Sequence, residues 1–201
     1  KRFSTEALNP HAAAQRKRGR PKVVLARSYE EAMALYAKYA DNTLGVISDA
    51  RYPKDGQVDA EAGLKLLRAI RRHDEFVPLI LQSAEPENRA KAEAEGFRFV
   101  DKNSKKMNID LHKIMEEHMG FGDFIFRDPA TREEIMRIHS LKELQDNIFK
   151  IPNDSMLYHI RRNHMSRWLC ARAIFPVSAF LKHVTWTKLQ DIDAHRQIIF
   201  D

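Results

Sequence analysis

Short apolar runs alternate with amphipathic stretches through the first two thirds of the chain. Four of these runs have the length and composition of strands, near residues 23–27, 44–48, 78–82 and 97–100. Apolar residues recur at helical spacing in four other segments. The first begins at Ser28, and the other three are Ala60 to Arg72, Pro86 to Glu95 and Ile109 to Met119. Such alternation predicts an α/β fold with a parallel sheet covered on both faces.

The pattern changes character after a break at Gly120-Phe121-Gly122. Residues 123–128 have the pattern of a short strand, and Ser140 to Lys150 that of a helix. Residues 152–155 have the composition of a helix cap and precede a longer predicted helix, Met156 to Phe175. We therefore divide the chain into a domain at 1–119 and a mainly helical linker or interaction region at 120–201.

Polar residues that can carry phosphoryl chemistry follow three of the predicted strands. Asp49 ends the second, Ser83 and Ala84 end the third, and Lys102 follows the fourth. Parallel strands bring their carboxyl ends to one edge of a sheet, where α/β proteins place their sites. A carboxylate, a hydroxyl and an ammonium at that edge could hold a phosphoryl group on the carboxylate.

Residues 22–119 resemble the receiver domain of bacterial response regulators. The resemblance rests on the Asp-x-x-x-Pro-x-Asp-Gly stretch, on a hydroxyl-plus-small pair and on a lysine, in that order along the chain. The matching residues are Asp49, Pro53, Asp55, Gly56, Ser83, Ala84 and Lys102. It implies a flavodoxin-like parallel sheet with a mainly helical C-terminal extension, and phosphate transfer from a histidine kinase or a small phosphodonor.

The same resemblance implies roles for several residues. Asp49 would be the phosphoacceptor, Ser83, Ala84 and Lys102 would bind the phosphoryl group, and Phe99 would be the aromatic switch residue, although it could equally be core. Magnesium would be held by Asp49, by the backbone carbonyl of Arg51 and by an acidic pair that this chain does not contain. We therefore expect magnesium only if residues upstream of this chain supply that pair.

Two departures from the receiver pattern leave alternatives open. No apolar strand precedes Lys22, and Glu6 is the one acid among the first 21 residues. We interpret this as a natural protein that extends upstream; the alternative is a pseudo-receiver that contacts proteins without taking phosphate. Asn103 also stands where receivers usually carry proline.

The arginine-rich predicted helix Met156 to Phe175 resembles a segment that follows a receiver-like domain in proteins related to phosphoenolpyruvate synthase and pyruvate phosphate dikinase. The residues that carry this resemblance and would form an interaction helix include Tyr158, Arg162, Asn163, His164, Trp168 and Arg172. It implies a module that regulates an attached enzyme of that kind, with any enzyme activity downstream of residue 201. On one continuous helix His159 and His164 would lie about 140° apart, which argues against a metal site and favours a hydrogen-bonded interface role for His164.

Charge raises a second hypothesis, a DNA-binding response regulator with a basic helical effector region. The net charge is +6 and the pI is about 9.4. The excess is concentrated in residues 16–22, where Gly19-Arg20-Pro21 resembles an AT-hook core, and in the arginines of 161–172. We favour a loop for the first segment, and the second lacks a helix-turn-helix pattern, so nucleic acid is the weaker alternative.

The cysteine content and the lack of a long apolar run indicate the cellular compartment. The single cysteine, Cys170, excludes an internal disulfide framework and is typical of a reducing cytoplasm. No apolar run is long enough to cross a membrane, and no secretory leader is recognisable, so a cytoplasmic protein is expected. The expected partners are the phosphodonor, the attached enzyme region and a second copy of the chain.

Overall fold

The computed structural model describes residues 22–183 and 192–200. The basic segment Gly19-Arg20-Pro21 lies outside them. The strands are β1 (Val46–Asp49), β2 (Tyr52–Lys54), β3 (Gln57–Asp59), β4 (Leu79–Ser83), β5 (Arg98–Asp101), β6 (Phe124–Arg127) and β7 (Glu134–Ile138). The helices are α1 (Tyr29–Tyr39), α2 (Ala62–His73), α3 (Glu87–Ala94), α4 (Met107–His118), α5 (Leu141–Asn147), α6 (Asn153–Arg161), α7 (His164–Ala171), α8 (Phe175–His183) and α9 (Ile192–Phe200).

A three-stranded parallel sheet in the order β1-β4-β5 lies at the centre of residues 22–119. Its strands are short and apolar, and successive side chains along each strand point to opposite faces of the sheet. Leu79 and Leu81 of β4 pack in one cluster with α2, while Ile80 packs on the other face beside Val100 and Met119. The predicted α/β fold with a parallel sheet covered on both faces is confirmed.

The predicted first strand, 23–27, does not form. Residues 22–26 have no regular secondary structure, and Val23 and Leu25 are 93% and 72% exposed. In the described part of the chain β1 pairs with β4 alone, and residues 23–27 do not pair with its open edge. A β-prone composition without a hydrogen-bonding partner is not sufficient to make a strand.

The helix predicted from Ser28 is confirmed together with its cap. The Ser28 hydroxyl accepts the N–H of Glu31, and the Glu31 carboxylate accepts the N–H of Arg27. These bonds satisfy donors that a helix start leaves unpaired. The predicted helices 60–72, 86–95 and 109–119 correspond to α2, α3 and α4 within two residues at each end.

The stretch between Asp49 and α2 forms a hairpin that the sequence analysis did not predict. β2 and β3 pair antiparallel around Asp55 and Gly56, which both have positive φ, 52° and 78°. An Asp-Gly pair suits this two-residue turn because the twist of the flanking strands requires left-handed backbone at both positions. The Tyr52 hydroxyl ties the hairpin down by donating to the Ala62 carbonyl.

Residues 124–200 have their own core, on which β6 and β7 form an antiparallel pair and α5 to α9 pack. The predicted strand 123–128 is confirmed as β6. The predicted helix Ser140 to Lys150 is also confirmed; it is capped by the Ser140 hydroxyl and finishes in a 3₁₀ turn, Ile148–Lys150.

The single helix predicted from Met156 to Phe175 is wrong. The chain forms α6, α7 and the start of α8, with breaks at Asn163 and Ala173, whose φ values are 55° and 63°. Both residues occupy the left-handed region, which ends a helix because the next turn cannot continue. Asparagine tolerates that conformation better than most residues, whereas alanine gives no sequence warning of it.

Buried polar contacts join the two parts of the chain. The Arg167 guanidinium on α7 donates to the Phe76 carbonyl just before β4 (2.8 Å), and the Lys182 ammonium on α8 lies 3.2 Å from the Asp74 carboxylate. The Trp168 indole N–H donates to the Gly122 carbonyl (3.0 Å). Among the described residues, none of the helices combines the length and apolar character needed to span a membrane.

Candidate functional site

The position of Asp49 is fixed by strand register and by one close approach. Asp49 is the last residue of β1 and lies opposite Gln82 of β4. Helix α2 begins directly against this strand end, where the Gly63 N–H donates to the Ala50 carbonyl at 3.0 Å. A Cβ at Gly63 would lie 2.0 Å from the Asp49 carbonyl oxygen, so only glycine permits this packing.

Lys102 reaches Asp49 as the sequence predicts. The Lys102 N–H donates to the Ser83 carbonyl at 3.0 Å, which extends the β4–β5 ladder by one residue. From there the Lys102 ammonium lies 2.7 Å from Oδ1 of Asp49, and the two side chains are 38% and 41% exposed. The carboxylate is therefore neutralised by a neighbouring cation while it stays accessible to solvent.

A residue absent from the predicted site, Gln82, completes the contacts of this carboxylate. Its side-chain amide donates to the same Asp49 Oδ1 that faces Lys102. Gln82 directly follows the apolar residues Leu79-Ile80-Leu81 of β4, and its register with Asp49 puts both side chains on one face. The feature of the sequence that could have identified Gln82 is its position as a polar residue near the end of a buried apolar strand.

Ser83 lies at the same edge, but its hydroxyl is engaged elsewhere. It accepts the Glu85 N–H at 3.1 Å and the Asn88 side-chain amide at 3.0 Å, so it stabilises the start of α3. Within the described residues it makes no hydrogen bond to Asp49 or Lys102. The structure thus joins Asp49 and Lys102 directly and leaves Ser83 at the end of the adjacent strand.

The neighbouring loops are tied together by side chains that the motif alone does not specify. Ala84 is exposed, and its carbonyl accepts the Asn103 side-chain amide at 3.0 Å. Asn103, which stands where receivers usually carry proline, therefore links the loop after β5 to the loop after β4. Phe99 is half-buried in the core around α2, with the Arg89 guanidinium 4.7 Å from its ring centre.

The donor set near Asp49 matches part of what magnesium takes from proteins. The Asp49 carboxylate and the Arg51 backbone carbonyl are hard oxygen ligands of the preferred kind. The Arg51 side chain is turned to Glu85, 3.2 Å away. A magnesium ion held by Asp49 and the Arg51 carbonyl would need its other ligands from water, phosphate oxygens and further carboxylates.

The predicted interaction residues divide between a buried contact region around Trp168 and a half-buried cluster around Tyr158. Trp168 is 1% exposed, and the Arg172 guanidinium lies 3.6 Å from its ring centre while donating to the carbonyls of Gly120 and Gly122. Asn163 provides the break between α6 and α7. The cluster contains Tyr158 and Arg162, whose guanidinium lies 4.2 Å from the Tyr158 ring centre.

The break at Asn163 also reverses the expectation for the two histidines. Nδ1 of His159 and Nδ1 of His164 lie 3.0 Å apart, so the residues do share a face. The Arg127 N–H donates to Nε2 of His159, and His159 must then carry its proton on Nδ1 and donate it to His164. The interpretation of His164 as a hydrogen-bonded interface histidine agrees with this contact.

Both histidines are held neutral. Burial, and after it the charges of Arg127, Arg162 and Arg132, lower the pKa of His159 to about 4. Burial, and after it mainly Arg167, lowers the pKa of His164 to about 3. Among the described residues, no group of three or more histidine, cysteine or acidic side chains could hold a metal ion.

Comparison of the chain with protein-family models, with curated proteins and with solved structures gave no match.

Proposed function

We propose that residues 22–119 are a receiver-type phosphoacceptor module in which Asp49 takes the phosphoryl group. The observation that carries this proposal is the 2.7 Å contact between the Lys102 ammonium and an accessible Asp49 carboxylate at the carboxyl edge of a parallel sheet. A sheet in the order β1-β4-β5 covered by helices is compatible with the flavodoxin-like fold of receivers.

The proposed reaction is a nucleophilic displacement at phosphorus, with the Asp49 carboxylate as the nucleophile. An Asp49 oxygen forms a bond to phosphorus while the bond from phosphorus to the donor breaks, at nitrogen for a phosphohistidine and at oxygen for acetyl phosphate, and the leaving group keeps that electron pair. The Lys102 ammonium then neutralises an oxygen of the transferred group, and the Gln82 amide is placed to donate to another. Bound magnesium would supply further positive charge between the acceptor and the phosphate.

Two observations favour this module over a DNA-binding effector. The Arg167 and Arg172 guanidiniums donate to backbone carbonyls inside the molecule rather than projecting outward. The chain between Arg161 and Arg172 also bends at Asn163, so these arginines do not form one continuous helical face. Control of an attached phosphoenolpyruvate synthase-like region rests on the resemblance of the Tyr158 to Phe175 segment alone.

The test is covalent labelling of the full-length protein. Incubation with magnesium and radiolabelled acetyl phosphate is expected to give a label that hydroxylamine removes, as an acyl phosphate requires. Asp49→Asn should abolish the label, and Lys102→Gln should reduce it strongly because the transferred oxygens lose their fixed cation.

Asp55→Asn is the matched control, since Asp55 is an exposed carboxylate in the turn of the adjacent hairpin. That variant should label like the wild type. If the wild-type protein acquires no hydroxylamine-sensitive label, or if Asp49→Asn retains it, phosphotransfer to Asp49 is excluded and a protein-contact role without phosphate takes its place.

A further inference from the structure

Two arginines from separate parts of the helical region lie over the Tyr158 ring, and a third, Arg127, bonds to one of them. The Arg132 and Arg162 guanidiniums lie 4.8 and 4.2 Å from the Tyr158 ring centre, and Arg132 also contacts the Tyr158 hydroxyl. The Arg127 guanidinium donates to the Arg132 carbonyl at 3.1 Å. We call Arg127, Arg132, Arg162 and Tyr158 the arginine cluster.

The backbone that presents Arg132 is firmly held. The Asp128 carboxylate accepts the N–H groups of Ala130 and Thr131, at 2.8 and 2.9 Å, and the Arg132 N–H donates to the Asp128 carbonyl. Arg132 itself has a φ of 67°, in the left-handed region that non-glycine residues seldom adopt. The turn therefore holds the backbone of Arg132 in one conformation and fixes where its side chain begins.

The charges of the cluster are not matched by carboxylates within the described part of the chain. The hydrogen bonds of its guanidiniums go to two backbone carbonyls and one hydroxyl. The neighbouring histidine pair adds no negative charge and stays neutral above pH 5, because burial and these arginines lower the pKa of His159 to about 4. Stacking on an aromatic ring offsets the mutual repulsion of the cations only in part.

Guanidinium groups recognise phosphate by paired N–H donors in a planar fork. The Arg132 and Arg162 guanidiniums both lie over the Tyr158 ring, and this contact restricts the two side chains and so reduces the side-chain entropy lost on binding. Both can still donate outward, since Arg132 is exposed and Arg162 half-buried. We propose that the arginine cluster binds a small molecule that carries a phosphate or diphosphate group, at a site separate from Asp49 and independent of its function.

Titration calorimetry of the full-length protein with pyrophosphate and with ADP, at constant ionic strength, tests the proposal. Saturable binding of at least one ligand is expected. Arg132→Gln and Arg162→Gln should each raise its Kd about tenfold or more, the usual effect of losing a charged hydrogen bond. Equal affinities would identify the diphosphate as the recognised group, and tighter binding of ADP would identify a nucleotide.

Arg161→Gln is the matched control, because Arg161 is exposed on the same helix and contacts no member of the cluster among the described residues. It should leave Kd within about twofold, as should Asp49→Asn, which separates this site from the phosphoacceptor. Unchanged thermal melting of each variant shows that the fold is retained. Absence of saturable binding, or equal losses in Arg161→Gln and Arg132→Gln, would overturn the proposal.

Discussion

At the scale of single residues, the proposed phosphoacceptor depends on a glycine that has no chemistry of its own. Gly63 lets α2 begin against the carbonyl of Asp49, and the N–H of Gly63 bonds the next carbonyl along the chain. The acceptor carboxylate is thereby placed by backbone contacts on one side and by Gln82 and Lys102 on the other.

Gly63→Ala is expected to destabilise the protein by about 2 kcal/mol or more, because the new methyl group meets backbone rather than a movable side chain. Urea denaturation measures the change. Gly56→Asn is the control, since a Cβ there meets open space and asparagine tolerates the positive φ. A Gly63→Ala variant as stable as this control would contradict the close approach of α2 to Asp49.

The sequence predicted the contact between Asp49 and Lys102, but not the surroundings of Ser83 or the part played by Gln82. Asp49 and Lys102 were recognisable because each ends or follows an apolar run, and parallel pairing then brings them together. The turn of the Ser83 hydroxyl toward Asn88 was not predictable, because it depends on a side chain in the following helix. Gln82 was overlooked because only its register with Asp49 gives it a role.

The histidine pair predicts a dependence of stability on pH. An unfolded histidine takes up a proton below about pH 6.5, whereas folded His159 does so only below about 4 and folded His164 only below about 3. Between these values the unfolded state binds more protons, so acid favours unfolding, by up to about 1.4 kcal/mol per pH unit for each histidine.

Urea denaturation at pH 7 and pH 5 measures this loss. His164→Gln should lose less stability between the two pH values than the wild type, because one titrating group is gone. His112→Gln should keep the wild-type difference, since the His112 side chain is 73% exposed. If His164→Gln shows the full wild-type difference, burial of the pair is not its cause.

At the scale of elements, the breaks at Asn163 and Ala173 decide the shape of the helical region. They turn α7 back on α6, which brings His164 to His159, and α8 back on α7, where the Ser178 hydroxyl donates to the Ser166 carbonyl at 2.8 Å. In the sequence, apolar residues keep their helical spacing across both breaks in residues 156–175. For that reason the sequence predicted one helix where the structure has three.

Ala173→Gly is expected to stabilise the protein by about 1 kcal/mol, since glycine removes the steric cost of a left-handed alanine. Ala90→Gly is the matched control, because Ala90 is exposed in the middle of α3 and glycine there should cost about as much as it gains at 173. Thermal or urea denaturation measures both changes. Loss of stability in both variants would contradict the left-handed backbone at Ala173.

The prediction of a strand at residues 23–27 was wrong for a different physical reason. Residues 23–27 have a suitable composition, but a strand exists only as a partner in a ladder, and this segment pairs with no strand among the described residues. The hairpin of β2 and β3 is the opposite case, because its strands form although the sequence did not predict them. Its Asp55-Gly56 turn was a recognisable pattern, whereas the three-residue strands beside it were too short to show an alternation.

At the scale of the whole molecule, two cores meet across buried polar contacts. Phe121 packs with Ile80 and Met119 against the sheet, whereas Phe124 packs in the helical core. The sequence showed a change of character at Gly120 but gave no indication of how the parts would join. Arg167 and the Phe76 carbonyl are 91 residues apart in the chain, and no local pattern links them.

The link between the two parts has a mechanical consequence. Gly120-Phe121-Gly122 has the composition of a hinge, yet Arg172 binds the carbonyls of both glycines and Trp168 binds one of them. A Cβ at Gly120 would also lie 2.8 Å from the Arg167 carbonyl oxygen. Trp168 and Arg172, at the end of α7, thus hold the segment in place, so we expect the sheet and the helical region to move together rather than to bend at the two glycines.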